Sequence, residues 1–253
     1  MKSVFHFTSM QNGFEILSDM TLKFNSILRT NDPWENKLQL YNICNQPTYS
    51  NDIIGLQNRF EELEQLNKTN SESNEIINMF KTLCFSKSYR YKNKTISGYN
   101  EPRMWAQYSR NHEGFCFEFD LDLLISKIKA SFPNDFVKFE DVKYKHVFEK
   151  LNHPLRRNIS IEEFVKENYE SIFFNKNINW KDEHEFRIII FNTEDIKILI
   201  GDCIKAIYLG ENFNTTYYPL LDSFTKNKKI RIFNIVLKSM EFEKQDYKFF
   251  TKI

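Results

Sequence analysis

Glycine and proline are scarce in this chain, six of each in 253 residues. Neither G-x-G-x-x-G nor G-x-x-x-x-G-K-[ST] occurs, which argues against the glycine-lined phosphate cradles of Rossmann and P-loop enzymes. The four cysteines, Cys44, Cys84, Cys116 and Cys203, form no C-x-x-C pair, so a zinc knuckle is not expected. Cys84 and Cys116 sit inside apolar runs, where cysteine acts as a small buried hydrophobe, and a reducing compartment follows. The five histidines show neither H-x-x-x-H nor H-E-x-x-H spacing, and no metal is expected. No run approaches the roughly 18 apolar residues of a membrane span, and "MKSVFHFTSM" lacks the apolar segment of a signal peptide. A cytoplasmic protein with no membrane partner is the expectation. Net charge is also nearly absent, with Lys+Arg 35 against Asp+Glu 34. The chain as a whole therefore has no pull toward nucleic acid or acidic lipid.

What the chain does have is aromatic residues, Phe 25 and Tyr 12. That abundance suits a β-rich core. "SVFHFTS" reads as a first strand, with Ser9 capping a helix through "MQNGFEILSDM". "TLKFNS" alternates as a second strand, and Asn31, Asp32 and Pro33 make a turn. Residues 53–80 read as a polar helical insertion, and "KTLCFSKS" as a strand. "NEPRMWAQYSRNHEG" reads as a short helix ending at Gly114 in the C′ position, before the strand "GFCFEFDLD". A helix over "LDLLISKIKASF", a strand over "DFVKFEDVKYK" and a helix over "SIEEFVKENYESIFF" follow, the last with Ser160 and Glu163 as a capping box. "EFRIIIF", "KIRIFNIVL" and "YKFFTKI" complete the strands, with a short helix near "TTYYPLLDSF". Residues 1–253 are expected to form a single α+β domain, with a mostly antiparallel, aromatic-rich sheet core flanked by helices.

The chemistry centres on "NWKDEHEFRIIIFN". In a strand, Glu183 and Glu185 share a face, Arg187 follows on it, and Phe186, Ile188 and Ile190 point into a core. The ordinary reading is a solvated strand end with a local ion pair. The other is a working pair of carboxylates, one of them held by the forked guanidinium. His6 and Thr8 share a face of the first strand, and Ser86 lies at the end of another. Trp105 and Tyr108, spaced i, i+3, form one face of a helix. Glu35-x-Lys37, with Asp19 upstream, superficially has the form of a metal-dependent nuclease motif. It follows a proline-containing turn rather than a strand entering a core, which disfavours that chemistry. The basic stretches "RYKNK" (90–94) and "KNKKIR" (226–231) offer a modest binding surface, the second read as a solvated turn between strands.

"FHFTS", "NDPWE", "CFS", "MWAQYSRNHEGFCFEF" and W-x-x-E-x-E-F-R occur in that order over residues 1 to 210. In this the chain resembles the bacterial domain-of-unknown-function 2971 family, whose label carries no activity. More remotely it resembles mono-ADP-ribosyltransferases, which carry a His or Arg on a first strand, Ser-Thr-Ser or Tyr on a middle strand, and a late E-x-E. Here "CFS" stands in place of Ser-Thr-Ser. This second resemblance implies NAD as substrate, with transfer to a macromolecular acceptor, protein or nucleic acid, or to water. It implies Glu185 as the catalytic carboxylate and Glu183 as the group that orients or deprotonates the acceptor. His6, Thr8 and Ser86 would lie on the NAD side of the site. By residue type alone, Arg29 or Arg103 would meet the pyrophosphate and Trp105 or Tyr108 would stack on the nicotinamide. Such an enzyme fits a toxin or phage-defence effector. The competing expectation is a non-catalytic module that binds a nucleotide, nucleic acid or protein.

Overall fold

A computed structural model describes residues 2–35, 43–44, 68, 71–152, 159–238 and 241–248. Strand β1 (Ser3–Thr8) leads into helix α1 (Met10–Asp19), and the Ser9 hydroxyl accepts from the Asn12 amide as its N-cap. The stretch read as one strand over "TLKFNS" is two, β2 (Thr21–Lys23) and β3 (Asn25–Ser26). Phe24 buries its ring between them, and the two pieces pair with different partners. The turn at residues 33–35 is as expected, with Asp32 Oδ1 accepting from the Trp34 amide 2.9 Å away. Much of the expected insertion at 53–80 lies outside the described residues; 71–79 are helical.

Strand β4 (Phe80–Lys87) is followed by the hairpin β5 (Tyr89–Tyr91) and β6 (Lys94–Ile96). Helix α2 (Pro102–Tyr108) ends earlier than its sequence implies. Gly114 is not its left-handed cap. Arg110, Asn111 and His112 instead take positive φ in succession (49°, 55° and 68°). The glycine is needed for another reason: a Cβ there would stand 2.1 Å from the Thr8 carbonyl, at the end of β1. Strand β7 (Phe115–Asp120) and helix α3 (Leu121–Ser131) follow. The "DFVKFEDVKYK" strand is broken at Val142 into β8 (Val137–Asp141) and β9 (Lys143–Lys145). The helix expected over "SIEEFVKENYESIFF" is likewise two, α4 (Ile161–Glu167) and α5 (Tyr169–Phe173), interrupted at Asn168, and Ser160 accepts from Glu163 N as the cap. Strands β10 (Asn175–Asn177), β11 (Glu185–Phe191), β12 (Lys197–Leu199) and β13 (Ile204–Leu209) come next. Helix α6 (Tyr218–Thr225) runs through "KNKKIR" into β14 (Arg231–Lys238), so that stretch joins a helix to a strand rather than two strands. The last strand among the described residues is β15 (Glu241–Asp246), ahead of "YKFFTKI", most of which lies outside the described residues.

The fold is mixed α/β around a mostly antiparallel sheet, in the order β15-β14-β13-β7-β1-β4-β11-β8, with β3 beside β4. The parallel pair in it is β13–β14. Its core mixes aliphatic side chains with a run of rings: Phe115, Phe117 and Phe119 of β7 are wholly buried, with Phe85 and Phe186 in the same cluster. Burying so many rings supplies the dominant favourable term of folding.

One irregularity positions the site. β1 pairs with β7 along its full length, Ser3 through Thr8, but with β4 only at Val4–Lys87 and Phe5–Ser86. Beyond Phe5 the two central strands part.

Candidate active site

The parting of β1 from β4 opens a cavity of about 500 Å³. Side chains reach it from both faces of the sheet. Phe5 and Ser86 are register partners and so share a face. His6, one residue on, belongs to the opposite face, and its ring lies 5.8 Å from that of Phe85. His6 and Ser86 meet in one cavity only because the strands separate. His6 Nδ1 is 3.0 Å from the Cys84 carbonyl, an acceptor only, so Nδ1 carries the proton and Nε2 is left as an acceptor. Burial lowers the His6 pKa against the opposing pull of that carbonyl, which keeps the ring neutral.

Glu183 and Glu185 reach the cavity by a route other than a shared strand face. Glu183 ends a 3-10 turn (Ile178–Glu183), His184 takes φ 46°, and Glu185 begins β11. Both carboxylates nonetheless converge on Lys176 of β10, whose Nζ is 2.7 Å from Glu183 Oε2 and 3.2 Å from Glu185 Oε2. Arg187 grips Glu185 with a fork, Nε to Oε1 at 2.7 Å and Nη2 to Oε2 at 3.0 Å. The Tyr108 hydroxyl donates to Glu183 Oε1 at 2.7 Å, the Ser86 hydroxyl to the Glu183 main-chain carbonyl at 2.9 Å, and the Glu185 amide to the Tyr144 hydroxyl at 2.9 Å. The solvated-strand-end reading fails on burial: Glu183, Glu185, Lys176 and Arg187 are exposed by 2%, 5%, 4% and 0%.

The two carboxyls are tuned apart. Burial raises the Glu183 pKa, and the single ammonium of Lys176 offsets this only in part. Burial would raise Glu185 as well, but Arg187 and Lys176 together outweigh it and hold Glu185 down at about 2. An ionised carboxylate beside one that accepts a proton more readily is the arrangement from which acid–base roles divide.

Of the residues expected at a site, Glu183, Glu185, His6, Thr8, Ser86, Arg29 and Tyr108 line this cavity. Arg103 and Trp105 do not. Arg103 Nη1 donates to the Asn179 carbonyl and its guanidinium lies over the Trp180 ring, outside the cavity. Trp105 is fully buried, edge-on to Phe7, with its Nε1 donating to the Tyr99 carbonyl. Tyr108 is not a free stacking platform, since its hydroxyl is committed to Glu183. Neither basic stretch lines the cavity.

Several residues were missed. Lys176 sits in "FFNKNINW", which carries no signal of its own. Arg110 lines the cavity from the left-handed turn after α2. Cys84 lines it too, its thiol pushed up by burial and so poorly nucleophilic. Glu35, weighed only as a metal ligand, has its carboxylate 2.6 Å from Arg187 Nη1. Three carboxylates thus gather round an ammonium and a guanidinium. Among the described residues no His/Cys/Asp/Glu group has a metal-holding arrangement.

Residues 104–188 match the family model described as a protein of unknown function, DUF2971. That span carries "MWAQYSRNHEGFCFEF" and W-x-x-E-x-E-F-R, hence Tyr108, Lys176, Glu183, Glu185 and Arg187; "FHFTS", "NDPWE" and "CFS" precede it. No curated protein and no solved structure matches the chain. Among the described residues no helix is long and apolar enough to cross a membrane.

Proposed function

We propose that this chain consumes NAD in the manner of an ADP-ribosyltransferase, passing ADP-ribose to a macromolecular acceptor or to water. The observation that carries the reading is the convergence of His6, Ser86, Glu183 and Glu185 on one cavity, from separate elements and both faces of the sheet. Its volume lies within the usual range for a small-molecule site.

The charge distribution fits the ligand. The buried part of the cavity carries Glu183 and Glu185 paired with Lys176 and Arg187, while the exposed Arg29 and Arg110 line it without a salt-bridge partner among the described residues. A diphosphate would seat at those two arginines, which leaves the nicotinamide ribose to reach in toward Glu185. In the reaction the bond from ribose C1′ to the nicotinamide nitrogen breaks, and the neutral base leaves with the electron pair. Glu185, ionised, stabilises the positive charge that develops on the ribose. Glu183, the carboxyl of the pair that holds a proton more readily, hydrogen-bonds and orients the incoming acceptor hydroxyl, amine or water, whose proton passes to solvent as its bond to C1′ forms. His6 Nε2 and the Thr8 hydroxyl offer hydrogen bonds to a ribose or to the carboxamide. Ser86 holds the Glu183 backbone in place. Draining NAD or modifying a vital acceptor stops growth, which suits a toxin or phage-defence effector.

One observation favours a second reading, a sensor that binds a nucleotide without turning it over. Both Glu185 oxygens are already engaged, by Arg187 and Lys176. Incubation with NAD labelled on the adenylate, with cell extract as acceptor source, separates the two. Release of nicotinamide that Glu185→Gln abolishes supports catalysis, and the labelled fraction identifies the acceptor. Saturable NAD binding without release supports the sensor. Neither release nor binding overturns both.

A further inference from the structure

Glu35 comes to the site from the turn of "NDPWE", far in sequence from the other charges, yet it is only 5% exposed. Its Oε1 is 2.6 Å from Arg187 Nη1 and its Oε2 is 4.0 Å from Lys176 Nζ. Among the described residues it makes, with Glu183 and Glu185, three carboxylates sharing two cations. If all were ionised, one negative charge would stand uncompensated where water is excluded, an arrangement that neutralises itself by taking up a proton. The contacts decide where the proton goes. Glu185 touches both cations. Glu35 touches Arg187 closely and Lys176 at the limit of contact. Among the described cations, Glu183 touches Lys176 alone.

We propose that Glu35 is a positioning residue of this site: by drawing on the positive charge of Arg187 and Lys176, it leaves Glu183 as the carboxyl that carries the surplus proton. The inference rests on the acid–base reading of the Glu183–Glu185 pair. The groups that face Glu183 are the Tyr108 hydroxyl from α2, Lys176 from β10, Glu185 from its own segment and Tyr144 from β9, with Glu35 and Arg187 acting one contact away. The raised pKa of Glu183 agrees with this count.

The test is an NMR pH titration of the full chain carrying carboxyl-labelled glutamate, with the Glu183 signal assigned by its loss in Glu183→Gln. Glu35→Gln removes a charge and keeps the shape. The Glu183 midpoint is expected to fall by about one pH unit, a tenfold change in its protonation constant. Glu35→Asp draws the carboxylate back by one methylene and is expected to shift the midpoint the same way by less. An unmoved midpoint in Glu35→Gln, or in Glu35→Asp if the first does not fold, overturns the proposal. Nicotinamide release is followed in parallel. A midpoint that moves without any NAD turnover supports the role of Glu35 and counts against the NAD reading. Turnover with an unmoved midpoint overturns the role of Glu35 alone.

Discussion

On one face of β11, Phe186, Ile188 and Ile190 pack into the main apolar core; on the other, Glu185 and Arg187 meet Glu183, Lys176 and Glu35. The two faces are equally dry: Ile188 and Arg187 are both wholly buried. Physically they are opposites. Removing apolar surface from water stabilises the fold without regard to geometry. Removing ions from water costs several kcal/mol each, recovered only where the partners are in place. An apolar filling of the second face would serve stability as well or better. A buried charge cluster lining a cavity therefore points to chemistry, while the opposite face needs no explanation beyond packing.

Glu185→Gln separates the faces most sharply. It is isosteric, so the chain should stay folded, and nicotinamide release should fall by about two to three orders of magnitude, the typical loss when one preorganised electrostatic group is removed. Lys176→Met should destabilise by about 3–5 kcal/mol at neutral pH, because three carboxylates are left round one guanidinium. The sign of its pH dependence follows from linkage. Carboxyls whose folded pKa is raised above the unfolded value of about 4.3 favour folding below that value and lose the contribution as pH rises through the folded pKa. Urea titrations should therefore find the Lys176→Met deficit shrinking as pH falls toward 4, and a constant deficit would refute the charge account.

Ile188→Ala, on the other face, should lose about 2–5 kcal/mol by leaving a cavity. The same titrations should find that loss independent of pH. In the unmodified chain Glu185 has the opposite sign from the Lys176→Met case. Its depressed pKa contributes stability above about pH 4.3, lost as pH falls through about 2, and Glu185→Gln should flatten that acid limb of the melting profile. The smallest expected effect lies away from both faces. Ser160→Ala removes the α4 cap and should lower stability by about 1 kcal/mol without altering nicotinamide release.

Much of the apolar face was legible in the sequence. Alternation in "EFRIIIF" placed Phe186, Ile188 and Ile190 inward, and period-two patterns located β1, β4 and β7 within a residue or two. Breaks inside patterned stretches were not legible: Phe24 and Val142 interrupt runs whose local preference is continuous, because a partner strand elsewhere claims each half, and Asn168 interrupts a continuous helical pattern. The charged face was half legible. Glu183, Glu185, His6, Thr8 and Ser86, chosen by spacing and resemblance, line one cavity. Arg103 and Trp105 were chosen by residue type, which does not tell a buried indole or a tethered guanidinium from a ligand-facing one.

Residue order alone determined the mixed fold with its antiparallel aromatic sheet, and brought the two glutamates together with Arg187, since i and i+2 cannot be far apart. Only the tertiary structure decided that those charges would be dry, that Lys176 and Glu35 would arrive to balance them, and that β1 and β4 would part after Phe5 to admit His6 and Ser86 to one cavity. Local pattern is written in side chains a few positions apart, whereas burial and charge balance belong to groups that meet only after distant strands have paired.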